Sequence, residues 1–246
     1  MLADTLRRLG GLKLKDEDGD EQIIELEPPA TEAEIHALAS RLPCPIPDDI
    51  RDALRVSKAL ANCPLESFSL LDLEGFGLEE MLPHAYSIAH DGYGNYWVLD
   101  LLPGTTSWGP VFYACHDPAV LAYQSATIEE FLNDVIALWQ TGSRSPIDVV
   151  HEDVVSRIWR ENPDAMTPAT LQDSTDTLLR SFAADLPSTA LVVDMRRAGL
   201  GQGFSWGRFG PRTTVRRAGD ERVWALIPPE RKPGLLARLF QKGDGA

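Results

Sequence analysis

In the segment 87–101, SIAHDGYGNYWVLDL, one mainly apolar run precedes five turn-forming residues and a second apolar run follows them. Its glycines and asparagine tolerate positive φ, and the flanking runs are long enough to pair as strands. The segment therefore predicts an antiparallel hairpin closed by a turn at 91–95. A phosphate-binding loop would need G-x-x-x-x-G-K-[ST], or G-x-G-x-x-G opening a helix, and neither is present. There is also no Lys or Arg between Lys58 and Arg144.

Two capping boxes mark the starts of amphipathic helices, Thr31 with Glu34 and Thr127 with Glu130. An apolar stripe with helical spacing follows each box. Further helices are predicted over 2–9, 48–59, 78–82, 148–160, 168–184 and 232–242. Strands are predicted in a hairpin over 12–26 and over 68–71, 85–89, 96–101, 111–115, 190–195, 213–217 and 223–227.

The run TGSRSP at 141–146 predicts a linker, because it is short, polar and contains Gly and Pro. The pattern of helices and strands restarts after it. We therefore expect two parts: a domain over residues 1–145 and an additional C-terminal α+β region over 146–246.

Charge is distributed unevenly along the 246 residues, whose net charge is −14. Residues 1–190 carry 12 basic and 32 acidic side chains, whereas residues 191–246 carry 11 basic and 5 acidic ones. Such an acidic body would repel nucleic-acid phosphates, so no nucleic-acid partner is expected. It suits a basic protein partner, because opposite fields speed the encounter of two proteins.

The basic segment GFSWGRFGPRTTVRR at 203–217 has two interpretations. Trp206 and Phe209 could stack on nucleic-acid bases. Alternatively, the segment could dock on the acidic body of its own chain or of a second copy. We favour docking, because the whole molecule is strongly acidic.

The cysteines do not indicate a disulfide framework or a zinc site. Cys44, Cys63 and Cys115 are odd in number and widely spaced. They predict reduced thiols. Cys115 precedes His116, but neighbours on a strand point to opposite faces, so the two are not expected to form a catalytic dyad.

No apolar run approaches the roughly 18 residues of a membrane-spanning helix. The opening MLADTLRRLGG lacks the apolar core of a secretory signal. We therefore expect a cytoplasmic protein.

The order of motifs over 28–140 resembles the SUKH superfamily, which includes fungal regulators of cell-wall synthesis and bacterial immunity proteins. A helix follows Pro-x-Thr at 29–31, and an apolar-Pro-Asp step leads into a second helix. The hairpin then matches Asp-Gly-x-Gly-Asn with a later Asp, and a strand ends in His-Asp. The positions that carry the match are Asp91, Gly92, Gly94, Asn95, Asp100, Val111, His116, Asp117, Phe131 and Leu132.

The resemblance implies an α+β fold in which helices pack on a mainly antiparallel sheet, without catalysis or a cofactor. Our leading hypothesis is a non-enzymatic protein-binding module, an immunity protein that neutralises a basic toxin such as a nuclease. Trp97 is expected in the core, whereas Trp108, in the loop TTSWGP, is expected at the surface. The candidate partner-contact residues are Glu74, Glu79, Glu80, Asp91, Tyr93 and Trp108.

Two alternatives stay open. The first is a regulatory scaffold whose C-terminal region recruits a host protein. The second is a metal-dependent hydrolase that uses His90, Asp91, His116 and Asp117, because His and Asp together can bind a hydrolytic metal. We assign no catalytic, cofactor or metal residue, because such short motifs often match by chance.

Overall fold

The computed structural model describes residues 1–16, 18–71, 76–78, 80–140 and 144–229. The α-helices are α1 (Leu2–Leu9), α2 (Glu32–Arg41), α3 (Asp48–Leu54), α4 (Ile128–Ala137), α5 (Pro146–Asp148), α6 (Val155–Glu161), α7 (Pro168–Leu171) and α8 (Thr177–Ala184), with a π-helical segment Val149–Val154 between α5 and α6. The strands are β1 (Lys13–Lys15), β2 (Glu21–Ile23), β3 (Glu25–Leu26), β4 (Ala59–Ala61), β5 (Ser67–Ser69), β6 (Ala85–His90), β7 (Tyr96–Asp100), β8 (Val111–His116), β9 (Ala119–Ser125), β10 (Leu191–Asp194), β11 (Gly203–Phe204), β12 (Thr214–Arg217) and β13 (Val223–Ile227).

Most strands of the described residues join one antiparallel sheet, the main sheet, in the order β11-β9-β8-β7-β6-β5-β4-β3. The predicted hairpin is its centre, where β6 pairs with β7 and β7 with β8. A second unit, the C-terminal sheet, has the order β10-β13-β12, and β1 pairs with β2 in a separate hairpin. The α+β fold with a mainly antiparallel sheet and a further C-terminal region is therefore confirmed.

One face of the main sheet packs against the helices. Along β7 and β8, alternate side chains such as Trp97, Leu99 and Tyr113 enter the same apolar core as Leu132 of α4. This alternation follows from the two-residue period of a strand. The placement of Trp97 in the core is confirmed, since it is 3 % exposed.

The opposite face packs against the C-terminal sheet. Val98, Phe112 and Leu121 share a second apolar core with Trp224 and Leu226 of β13. Strand β11 also extends the main sheet by pairing with β9. Strands covered on both faces read as continuous apolar runs, which explains YWVLD and VFYAC in the sequence.

A buried ionic cluster joins the two sheets. Asp100, at the end of β7, accepts hydrogen bonds from Arg217 at 3.0 and 2.7 Å and from Arg222 at 3.2 Å. Arg222 also donates to the carbonyl oxygens of Asp100 and Gly109. The Asp100 side chain is fully buried, and two guanidinium groups compensate its charge.

The basic C-terminal segment docks on its own chain, as we favoured. Arg208 donates to the carbonyl oxygens of Trp159 and Arg160 at the end of α6. Arg216 lies 3.9 Å from Asp185. Together with the buried Arg217, these contacts pair basic side chains of this region with oxygen atoms of the same chain.

The structure departs from the predicted helices in three places. The helix predicted over 48–59 ends at Leu54, and Ala59 already begins β4. The helix predicted over 168–184 is two helices, because Asp176 caps α8 by accepting from the backbone N–H groups of Leu178 and Leu179. Instead of the predicted helix over 78–82, the structure has a turn in which the backbone N–H groups of Met81 and Leu82 donate to the Leu78 carbonyl oxygen. The helix predicted over 232–242 lies outside the described residues.

Candidate functional site

The turn 91–95 is held by the side chain of its first residue. The Asp91 carboxylate accepts hydrogen bonds from the backbone N–H groups of Tyr93 at 2.8 Å and Asn95 at 3.2 Å, and from Asn95 Nδ2 at 2.5 Å. Gly92 and Gly94 have φ of 79° and 91°, which L side chains rarely adopt. Local hydrogen bonds therefore account for the Asp-Gly-x-Gly-Asn pattern, and the predicted hairpin turn is confirmed.

The turn is also fixed to the end of β8. Asn95 Oδ1 accepts from the backbone N–H of His116 at 3.1 Å and lies 3.0 Å from His116 Nδ1. The amide side chain is buried, so these contacts satisfy it away from water. Asn95 therefore connects two sequence features that lie 21 residues apart.

The tip of this turn is exposed and acidic. Tyr93 is 81 % exposed. Glu66 lies beside Gly92, where its Cγ would be 3.3 Å from an added Cβ. The exposed Asp117 follows His116, which Asn95 of the turn holds in place. We call Glu66, Asp91, Tyr93 and Asp117 the turn surface. An exposed tyrosine with carboxylate neighbours is suited to contact a basic protein, because aromatic residues are enriched at protein interfaces.

A cavity of about 660 Å³ lies next to the turn surface and shares Asp117 with it. His116 and Asp117, at the β8–β9 turn, form one wall. Trp206 and Thr213, from the C-terminal region, also line the cavity, as does Trp159 of α6. The cavity is therefore built jointly by the segment of the hairpin motifs and by the region that follows residue 146.

The residues predicted to contact a partner lie in different parts of the structure. Asp91 and Tyr93 lie in the turn surface, and Glu80 is exposed and lines the cavity. Asp91 has a structural task as well, since its carboxylate closes the turn. Glu74 and Glu79 lie outside the described residues.

The expected surface position of Trp108 is wrong. Trp108 is 5 % exposed, and its ring centroid lies 4.9 Å from that of Tyr86. The loop TTSWGP folds this indole back into the helix-side core, because burial of so large an apolar ring outweighs the polarity of its neighbours.

The two histidine-aspartate pairs, His90-Asp91 and His116-Asp117, stand at the ends of β6 and β8, and β7 lies between these strands in the main sheet. His90 Nδ1 accepts from the backbone N–H of Gly92 at 3.2 Å, and Asp91 is occupied within the turn. Among the described residues, no three His, Cys, Asp or Glu side chains come together in a way that could hold a metal ion.

Cys115 and His116 lie on opposite faces of the main sheet, as the strand period predicts. Cys115 belongs to the helix-side core, whereas His116 lines the cavity on the other side. Burial raises the pKa of the Cys115 thiol. Burial likewise raises the pKa of Tyr113, with the Cys115 and Asp91 charges adding to the effect.

Sequence reasoning missed Glu66 and Trp159. Glu66 precedes a three-residue strand, and only the pairing of Ser67 with His90 brings it to the turn. Trp159 follows the buried Ile158 in α6 and is 38 % exposed. Its position beside the apolar stripe of the helix is the signal that could have indicated a partly exposed indole.

Comparisons with known proteins place part of the chain in a family. Among the described residues, no helix has the length and apolar character needed to cross a membrane. Curated proteins and solved structures gave no match. A scan of family models matched residues 29–134 to the SMI1 / KNR4 family (SUKH-1). This segment contains α2, α3, the β4–β9 part of the main sheet and most of α4. The match of residues 29–134 to this family supports membership of the SUKH superfamily.

Proposed function

We propose that this chain is a non-enzymatic immunity protein that binds and neutralises a basic toxin in the cytoplasm. Membership of the SUKH superfamily supports a protein-binding role of the immunity or regulatory type. The turn surface is the part of the molecule that we assign to the toxin, with Tyr93 as the central contact.

One observation carries the choice of a basic partner. The stretch 59–143, which holds the turn surface, contains eleven Asp and Glu residues and no Lys or Arg. Asp100 is the buried member of this set and is neutralised by arginines from the C-terminal region. A cationic protein would therefore meet a stretch that carries carboxylates and no basic side chain of its own, and complementary charge favours fast encounter.

The test is to identify the partner and then to break the interface. The full-length protein is used to capture partners from the organism that encodes it, and captured proteins are released with increasing salt. We expect a small basic protein that is released early, is toxic when produced alone and is harmless when the chain is co-produced. Salt sensitivity follows from screening of exposed charges.

Variants then locate the interface. Tyr93→Ala should weaken toxin binding by roughly tenfold, the effect of losing a central aromatic contact. Glu66→Lys should slow association, since a charge at an interface mainly affects the encounter rate. The matched control is Asp49→Lys in the first turn of α3, which reverses an exposed charge away from the turn surface. A partner that is neither basic nor toxic would contradict the proposal and favour the scaffold alternative.

A further inference from the structure

The cavity beside the turn surface has two aromatic walls. Trp159 stands at the end of α6, and Trp206 follows β11. Gly207 allows the segment after β11 to pack closely on β9, because an added Cβ would lie 2.6 Å from Ala119 Cβ, and it places this segment in ordinary contact distance of the Trp159 ring. Arg208 then fixes the loop by donating to the carbonyl oxygen of Trp159. Local packing and hydrogen bonding thus hold both indoles at the cavity.

The polar lining of the cavity is acidic. Glu80 and Asp117 contribute carboxylates, and His116 lies beside Asp117. Among the described residues, no Lys or Arg lines the cavity. The nearby Arg208 is occupied by the carbonyl oxygens at the end of α6. A cation entering the cavity would therefore meet negative charge and aromatic faces without a basic side chain at the wall.

Arginine fits this combination better than other side chains. Its planar guanidinium stacks on aromatic rings and bonds carboxylates through several N–H donors at once. A volume of about 660 Å³ accommodates such a side chain with part of its backbone. An acidic ligand would face the two carboxylates, and a purely apolar one would leave them unpaired.

We propose that the cavity formed by Glu80, Asp117, Trp159 and Trp206 is a recognition pocket for an arginine side chain of a basic protein partner. This inference rests on the proposed function and deepens it, because it assigns the partner's anchor residue. It also gives the region after residue 146 a direct part in recognition, since Trp159 and Trp206 come from that region.

The test uses a small probe, so that it does not depend on knowing the partner. Acetyl-arginine amide is titrated to about 20 mM into full-length protein with ¹⁵N-labelled tryptophan, a range suited to millimolar affinity. We expect chemical-shift changes at the indole N–H groups of Trp159 and Trp206. Acetyl-citrulline amide, which has a similar shape without the charge, is the matched ligand control and should leave both signals unmoved.

Single-residue variants then measure how much each lining side chain contributes to the affinity for the arginine probe. Asp117→Asn and Glu80→Gln should each weaken the probe about two- to fivefold, as expected for partly exposed charge pairs. Trp159→Ala should weaken it to a similar extent through loss of the cation–π contact. Asp49→Asn, which changes an acidic residue of α3, should leave the affinity unchanged.

Three results would contradict the proposal that the cavity binds arginine. They are the absence of shifts at the two indoles, equal shifts with the citrulline probe, and insensitivity to both carboxamide variants. A fourth would be a gain of more than about threefold in probe affinity for Arg231→Ser with Lys232→Ser, because the chain's own tail would then be the occupant. None of these results would exclude toxin binding through Tyr93, so failure of the pocket and failure of the proposed function are distinguishable.

Discussion

The two faces of the main sheet are covered in different ways. The helix-side face is mainly apolar, and it includes a short polar chain in which Trp97 Nε1 donates to Gln124 and Gln124 donates to Asp134. The opposite face combines apolar packing around Trp224 with the fully buried carboxylate of Asp100 and its two arginines.

The difference indicates what fixes the position of the helices on one face and of the C-terminal sheet on the other. Apolar side chains stabilise contact but are tolerant of small shifts, as volume-conserving exchanges in cores show. A buried carboxylate held by two guanidinium groups requires a defined geometry, since any displacement leaves a charge unpaired. We infer that Asp100 fixes the C-terminal sheet in one position on a face that apolar packing alone would define less well.

The largest effect is expected from Asp100→Asn. The amide cannot compensate Arg217 and Arg222, whose side chains are 5 % and 15 % exposed, so unfolding in urea should show a loss of about 3–5 kcal/mol. Amide exchange should accelerate in β12 and β13 before it does so in α4. The control is Asp220→Asn, an exposed partner of His84, which should change stability little. A loss below about 1 kcal/mol would remove the proposed role of the ionic cluster.

Replacing one buried leucine on each side of the main sheet compares how much the helices and the C-terminal sheet contribute to stability. Leu132 on α4 and Leu226 on β13 are both fully buried, so replacement of either by Ala should lower stability by about 2–5 kcal/mol. Both variants should unfold in a single transition, because each leucine packs on the same sheet. A biphasic transition in the Leu226 variant alone would mean that the C-terminal sheet unfolds independently.

Asp134 provides a pH-dependent test of the helix-side face. Burial raises its pKa to about 6, against the opposing hydrogen bond from Gln124, while the Glu130 charge adds to the rise. The folded state therefore retains the proton to higher pH than the unfolded state, and stability falls as pH rises from about 4 through 6.

Asp134→Asn should remove this decline. Because the group is only about half buried, we expect a gain of about 1–2 kcal/mol at pH 7.5 and almost none at pH 4, measured by urea unfolding at both pH values. An equal gain at both pH values would show that ionisation of Asp134 is not the cause.

The smallest effect on stability is expected at the N-terminal cap of α2, one of the helices that cover the main sheet. Thr31 caps α2 by accepting from the Glu34 N–H at 3.2 Å, so Thr31→Ala should reduce stability by about 1 kcal/mol. Amide exchange should change in the first turn of α2 and remain the same in the C-terminal sheet. Thr31→Asn, which preserves a capping oxygen, should restore most of the loss.

Features set by neighbouring residues were predictable from the sequence. The turn 91–95 and the cap at Thr31 depend on residues within four positions of each other, and both appear as predicted. Pairings between distant segments were not predictable in this way. Nothing local to Asp100 indicates Arg217, which is 117 residues away, and the polar loop around Trp108 gives no sign that the indole turns inward.

The clamped turn under Tyr93 has a consequence for the lifetime of a complex. Asp91 and Asn95 already restrict the backbone on both sides of Tyr93, so little backbone conformational entropy would be lost if a partner covered the ring. Affinity differences between partners should then arise mainly from how slowly each one leaves, because the presenting loop needs no rearrangement before contact. For the partner binding that we propose, the five residues of the turn would hold the backbone at Tyr93 in one conformation, and partners would differ mainly in residence time.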